Sequence, residues 1–177
     1  MTQPDLLPAK QGQLDGLCGI YSIVNALNWL YGKGIRRRRL FRYLLEQYHQ
    51  HWSALECITD GICEMEMDYL LSRVMRYSAR TKSLNISMPF RYQRGLSRHR
   101  ILQSCQQFLD ARASQRAIIL CDQHHWSVVT HITDIEVHYF DSCEQQVIAR
   151  DQFMMKAHAR RTQLIPSAIY WLDSGER

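Results

Sequence analysis

The sequence has no apolar run long enough to cross a membrane, and no Gly-rich phosphate-binding loop or dinucleotide fingerprint in its 177 residues. The first absence excludes a membrane-spanning helix, and the second argues against an ATP- or NAD-dependent reaction. We therefore predict no cofactor. The N-terminus also lacks the basic start and apolar core of a signal peptide. We expect a cytoplasmic protein, and leave open export that needs no cleavable signal.

No repeat, low-complexity segment or second domain interrupts the chain. With 46% hydrophobic residues, we predict one globular domain over 1–177 with a full core. The 6 cysteines do not cluster as a disulfide framework, so reduced thiols are expected. The spacing of His49, His51, Cys57 and Cys63 matches no common structural zinc pattern, and we predict no metal site.

The formal net charge is +5, and the arginines are grouped. The densest group is Arg36, Arg37, Arg38 and Arg39, next to Lys33. It has two interpretations: contact with an acidic protein or a nucleic acid, or a solvated start of a helix. No nucleic-acid motif accompanies it. A second group is predicted on a surface loop and the helix after it, and comprises Arg91, Arg94, Arg98 and Arg100.

A cysteine stands at the start of the most strongly patterned helix. Cys18 follows a polar, glycine-bearing loop and precedes apolar residues at helical spacing, namely Ile20, Ile23, Val24 and Leu27. We predict a helix from Cys18 to about Trp29 or Leu30. The unpaired N–H groups and the positive dipole end of a helix meet at its first turn. A thiol placed there is easily ionised to a thiolate.

A histidine and an aspartate bracket a predicted β-hairpin later in the chain. Residues 126–132 read as a strand, Thr133 and Asp134 as a tight turn, and 135–140 as the returning strand. His125 precedes the first strand and Asp141 follows the second, so both lie at one edge of the sheet. An aspartate there can orient a histidine that acts as a base toward a thiol.

The remaining pattern predicts helices first and antiparallel strands later, which is typical of an α+β domain. Further helices are expected over 37–50, 65–77 and 98–111, with a short one over 151–158. Further strands are expected over 84–88, 117–121, 146–149 and 168–172.

A cysteine that opens a helix, then a histidine, then an aspartate on the next strand resembles the papain-like cysteine peptidases. Gln13 resembles their oxyanion-hole glutamine, while His125-Trp126 and Asp141-Ser142 resemble their paired elements. The resemblance implies a helix bearing the catalytic cysteine packed on a C-terminal antiparallel sheet. It also implies a thiol protease with the catalytic triad Cys18, His125 and Asp141, with Gln13 in the oxyanion hole.

Three compact subfamilies share these features. The Leu-Cys-Gly opening is similar to the C39-like peptidases that cleave bacteriocin leaders, which we take as the nearest resemblance. The glutamine, Leu-Cys and later His-Trp are also similar to Josephin deubiquitinases, and Asp15-Gly-Leu-Cys18 is similar to ovarian-tumour-type deubiquitinases. The resemblance implies a peptide or protein substrate, such as a leader peptide or a ubiquitin-like tail.

Several assignments stay open at the level of sequence. His124 could replace His125 as the base, and Gln11 could replace Gln13 as the oxyanion donor. Asp15 suits a helix cap and also a polar role at the site. Asp134 suits a turn better than the triad.

The reaction is also open. A transglutaminase or a glutamine deamidase would use the same site. A binding module acting through its arginines would need no catalysis at all.

Overall fold

The structure is a computed structural model, and we describe residues 6–78, 83–111, 114–144 and 146–175 of it. These residues form an α+β fold. The helices are α1 (Cys18–Tyr31), α2 (Arg37–His49), α3 (Ala54–Thr59), α4 (Glu64–Ser78) and α5 (Arg98–Asp110). The strands are β1 (Asn85–Ser87), β2 (Arg116–Cys121), β3 (Trp126–Ile132), β4 (Glu136–Tyr139), β5 (Val147–Ala149), β6 (Phe153–Met154), β7 (Thr162–Gln163) and β8 (Ile169–Asp173).

One antiparallel sheet organises the domain. Its six strands have the order β1-β8-β2-β3-β4-β5, and the short strands β6 and β7 pair separately. The last strand of the chain therefore lies inside the sheet, between β1 and β2. The consecutive strands β2, β3, β4 and β5 form a meander beside it. The β3–β4 pairing contains an irregularity between Val129 and His131.

Both faces of the central strands are covered. On β2, Ala117 and Ile119 belong to the cluster built on α1, whereas Ile118 and Leu120 belong to the cluster built on α5. This alternation explains why β2 reads as a continuous apolar run, since each side chain meets a helix layer. The apolar stripe of α1 is fully buried in the first cluster, so α1 lies flat on the sheet.

The sequence predicted most of these elements within one or two residues. The strand 126–132 and the helix starts at Cys18, Arg37 and Arg98 are confirmed. Gly32 follows α1 with φ 55°, which explains its end there.

The predicted helix over 151–158 is wrong. A short 3-10 turn (Arg150–Gln152) leads into β6, because Phe153 is buried in the α5 cluster. Helix α3, a short helix capped by Ser53, was not predicted from the sequence.

Among the residues that the structure places, no helix has the length and apolar character needed to cross a bilayer.

Candidate active site at the start of helix α1

Cys18 is the first residue of α1, and its side chain is buried. The loop before it is shaped by the carboxylate of Asp15, which accepts the N–H of Gly12 at 3.0 Å and the N–H of Leu17 at 3.2 Å. Asp15 therefore holds the loop in shape but is not the N-cap of α1, which is Leu17 and has no side-chain cap. The N–H of Cys18 has no acceptor within the helix, since first-turn donors never do.

Two glycines let other segments approach Cys18 closely. A Cβ on Gly16 would lie 2.8 Å from the backbone nitrogen of Gly61, and a Cβ on Gly19 would lie 2.4 Å from a side-chain carbon of Ile62. The N–H of Gly16 also donates to the carbonyl of Ile58 at 2.5 Å. The segment after α3 therefore supports both sides of Cys18, and this contact requires glycine at both positions.

A tight turn presents His125 at the start of β3. The carboxylate of Asp122 accepts the N–H groups of His124 and His125, each at 2.8 Å. The N–H of Asp122 donates to the carbonyl of His125 at 3.1 Å, which closes the turn. His124 is exposed on this turn, whereas His125 is half-buried. The turn therefore buries part of the His125 ring, whose pKa Cys18 affects.

Asp141 is buried behind His125, and the exposed fraction of its side chain is 2%. Its Oδ2 lies 3.1 Å from His125 Nε2 and accepts the hydroxyl of Ser127 at 2.9 Å. Its Oδ1 accepts the N–H of Ser142 at 2.5 Å. Both oxygens have donors, so this buried carboxylate is satisfied and held in one orientation.

These contacts determine the protonation of His125. Burial lowers the pKa of the imidazole, but hydrogen bonds with Asp141 and Cys18 and the negative charges of both groups outweigh it. The net effect raises the pKa of His125 from 6.5 to about 10. The imidazole is therefore charged at neutral pH, and the carboxylate of Asp141 lies on one side of it. Nε2 of His125 faces Asp141, while the thiol of Cys18 donates to the carbonyl of Gly16 at 3.8 Å.

Three further thiols are held in the neutral form, two of them buried and Cys121 half-buried. Burial raises the pKa of Cys57, Cys105 and Cys121 to about 12 in each case. Cys63 and Cys143 are exposed, and all 6 cysteines, each in a described part of the chain, are free thiols.

The two candidate oxyanion glutamines have different surroundings. The side-chain amide of Gln11 donates to the carbonyl of Asp15, and its backbone N–H donates to the carbonyl of Ser142 at 3.1 Å. Gln11 therefore ties the loop to the residue after Asp141. Gln13 is exposed on the turn that precedes Cys18. Its amide is available to a ligand, whereas that of Gln11 is occupied.

The other residues considered in the sequence lie elsewhere. Asp134 is exposed at the far end of the hairpin and accepts the amide of Gln106 at 3.4 Å. His51 packs its ring against Trp52 and Tyr69. In the described part of the chain, no group of three or more His, Cys, Asp or Glu side chains could hold a metal ion.

The two arginine groups differ. Arg36, Arg37, Arg38 and Arg39 are all exposed and form no salt bridge with a carboxylate of the described residues. Arg91, in contrast, was predicted to lie on the surface, and this prediction is wrong. Its guanidinium is mostly buried and forms two hydrogen bonds to Asp68, at 2.6 and 2.9 Å.

Sequence reasoning missed Asp122 and Ser127, the residues that hold His125 and Asp141. An aspartate directly after a buried strand is a frequent turn residue, so Asp122 carried a readable signal. Ser127 lies two residues after His125 and shares its side of an alternating strand.

No protein-family model matches the chain, and neither a curated protein nor a solved structure matches it. Functional inference therefore depends on the geometry of the site.

Proposed function

We propose that the protein is a papain-like cysteine peptidase, a hydrolase that cleaves a peptide or isopeptide bond through Cys18, His125 and Asp141. The observation that supports this most is the hydrogen bond between His125 and the buried carboxylate of Asp141, together with the influence of Cys18 on the pKa of His125. This is the arrangement that an activated thiol requires, with a base beside it and an acid that orients the base.

The reaction begins when the Cys18 thiolate attacks the carbonyl carbon and forms a C–S bond. The C–N bond then breaks, and the proton of His125 passes to the leaving amine. Water attacks the resulting thioester, His125 takes a proton from it, and the Cys18 sulfur leaves with its electron pair. The acid is released and the ion pair is restored. Asp141 stays ionised throughout and fixes the orientation of the ring.

The oxyanion is bound by the backbone N–H of Cys18 and the side-chain amide of Gln13. The first donor is supported by its place at a helix start, and the second by its exposure on the turn just before it. One such donor lowers the barrier by roughly 3–4 kcal/mol in other acyl-transfer enzymes. Leader peptides and ubiquitin-like tails are the proposed substrate types.

The exposed residues Arg36, Arg37, Arg38 and Arg39 are proposed to contact an acidic partner. They lie at the start of α2, whose first turn has no acidic side chain to balance them. Like charges at the positive end of a helix dipole are unfavourable, and an acidic partner would relieve this. The six free thiols agree with a reducing compartment, and we propose the cytoplasm.

The test is hydrolysis of a mixed library of fluorogenic peptides, with Cys18→Ala as the inactive variant. The control is the double variant Cys63→Ser/Cys143→Ser, which removes both exposed thiols and keeps the site. We expect turnover by the wild type and the control, and none by Cys18→Ala. Turnover that persists in Cys18→Ala, or no acyl-enzyme at Cys18 with any peptide ester, would contradict the proposal.

A further inference from the structure

Apolar side chains are exposed on the loop that leads to Cys18 and on α3. The exposed fractions are 98% for Leu14, 69% for Leu55 and 39% for Ile58. Leu14 stands on the loop that leads to Cys18, and the other two stand on α3. Exposing several large apolar side chains to water costs free energy, and groups of such side chains on soluble proteins are typical of contact surfaces.

The exposure does not come from a loose loop. Gln11, Gly12 and Leu17 all donate to Asp15, and Gly16 donates to the carbonyl of Ile58. The backbones of Gly16 and Gly61 lie so close that a side chain on Gly16 would have no room. The loop with Leu14 and the helix with Leu55 and Ile58 are therefore held together, at a fixed position relative to Cys18.

The stretch of chain that contains α3 is acidic in a basic protein. Residues 43–72 contain six Asp and Glu residues and no Lys or Arg, while the whole chain has a net charge of +5. Several of these acids have partners: Glu46 pairs with Arg42, Asp68 with Arg91, and Glu66 accepts the hydroxyl of Tyr48.

Glu56 and Asp60, beside the apolar residues on α3, form no salt bridge with any cation of the described residues. We name the surface formed by Leu14, Leu55, Glu56, Ile58 and Asp60 the α3 rim.

We propose that the α3 rim binds a peptide segment that carries both apolar and basic side chains, adjacent to the bond cleaved at Cys18. The apolar residues select Leu-like side chains by burial, and Glu56 and Asp60 select Lys or Arg by charge. The hydrogen bond between Gly16 and Ile58 joins the rim to the loop before Cys18, so a peptide bound at the rim is held near the candidate nucleophile. This inference depends on the proposed function for the cleavage but not for the binding.

The test measures binding without chemistry, in the Cys18→Ala protein. The probes are two fluorescein-labelled dodecapeptides, one of Leu, Lys, Gly and Ser, and one with Ser for Leu and Glu for Lys. Binding is followed by fluorescence anisotropy. We expect the Leu/Lys peptide to bind at least about tenfold more tightly than the Ser/Glu peptide, with the difference reduced by added salt.

A matched pair of surface variants assigns that preference to the rim. Leu55→Ser/Glu56→Gln changes one apolar and one acidic neighbour on α3. Ile135→Ser/Asp134→Asn makes the same two changes at the far hairpin turn, where Ile135 is 72% exposed. The first variant should lose the preference for the Leu/Lys peptide, and the second should keep it.

The outcomes separate the two proposals. Equal binding of both peptides, or equal loss in both variants, would overturn the α3 rim. The rate at which iodoacetamide labels Cys18, measured with the rim variant in the Cys18 background, reports on the thiol alone and should equal that of the wild type. Slow labelling in the wild type with peptide selectivity intact would refute the catalytic proposal and keep the rim.

Discussion

The β3–β4 hairpin carries a histidine and a carboxylate at each of its ends, and the two pairs differ. His125 Nε2 lies 3.1 Å from Asp141 Oδ2, and His138 Nε2 lies 3.4 Å from Glu136 Oε2. The exposed side-chain fractions are 22% and 2% in the first pair, and 35% and 43% in the second. The distances are similar, whereas the burial of the carboxylates is very different.

The burial of the carboxylate, more than its distance from the histidine, therefore decides how strongly it acts on the imidazole. Asp141 is fixed by Ser127 and Ser142 and shielded from water. Glu136 is open to solvent, and water screens such a pair to roughly 0–1 kcal/mol. The inner pair, His125 with Asp141, can therefore orient a base and keep it protonated beside a thiol. The outer pair, His138 with Glu136, provides a control for each experiment on the inner pair.

The largest effect is expected when the buried acid is changed. Asp141→Asn removes the charge that raises the pKa of His125, so that pKa should fall from about 10 toward its ordinary value of 6.5. The rate of peptide cleavage should fall on the order of 10²- to 10⁴-fold, as for acid-to-amide changes in other triads. NMR titration of the His125 ring and steady-state kinetics measure the two effects.

The matched change at the outer pair is Glu136→Gln. We expect it to leave both the His125 titration and the rate unchanged. Equal losses in the two variants would mean that the burial of Asp141 has no special role.

A smaller effect on the rate of cleavage is expected from a change in the turn at the start of β3. Asp122→Ala removes the acceptor for the N–H groups of His124 and His125, so the base is less well positioned. Cleavage should slow about tenfold, as expected when a catalytic group is misplaced slightly. The rate should recover in Asp122→Asn, which retains an acceptor oxygen.

The control for this turn is Thr133→Ala, which removes a hydroxyl that accepts the N–H groups of Ile135 and Glu136 at the opposite turn. It should affect the melting temperature without changing the rate. A rate that falls as much in this variant would assign the effect of Asp122 to stability alone.

A still smaller effect is expected from Ser127→Ala, which removes one of the donors to Asp141 Oδ2. The loss of one hydrogen bond to a buried carboxylate costs about 1.5–3 kcal/mol in stability. Its effect on the rate should be severalfold, since His125 still contacts Asp141. Urea unfolding and peptide cleavage measure the two effects. A loss of rate as large as that in Asp141→Asn would contradict this ranking.

The last prediction concerns stability rather than the rate of cleavage, and is the dependence of stability on pH. The pKa of His125 is about 10 in the folded protein and 6.5 without its partners. Between these pH values the folded state therefore keeps a proton on His125 that the unfolded state has lost. This stabilisation is complete below pH 6.5 and is lost as the pH rises through 10. The difference in unfolding free energy between wild type and Asp141→Asn should shrink over that range. A difference in unfolding free energy that stays constant over this pH range would contradict the prediction.

The parts of the site that the sequence predicted are those set by local patterns. The helix at Cys18 follows from its apolar spacing, and the position of His125 opposite Asp141 follows from the length of the hairpin between them. Periodicity and turn chemistry act over a few residues, so they can be read directly.

The parts that were missed depend on distant residues. The place of β8 between β1 and β2 is set by the whole sheet, and the burial of Arg91 needs Asp68 and Tyr170 from other elements. The six-residue helix α3 is too short to show a period, since Cys57 is its only buried residue. For the same reason, the role of Gly16 and Gly19 appears only when the segment 58–62 packs against them.

The most direct test of the account is the rate of iodoacetamide alkylation at Cys18 against pH, in Cys63→Ser/Cys143→Ser protein with and without His125→Ala. His138→Ala is the matched control. The account predicts rapid labelling of Cys18 that persists below neutral pH, is lost in His125→Ala and is retained in His138→Ala. Slow labelling with an ordinary thiol profile, unchanged by His125→Ala, would contradict the thiolate–imidazolium pair on which the proposed function depends.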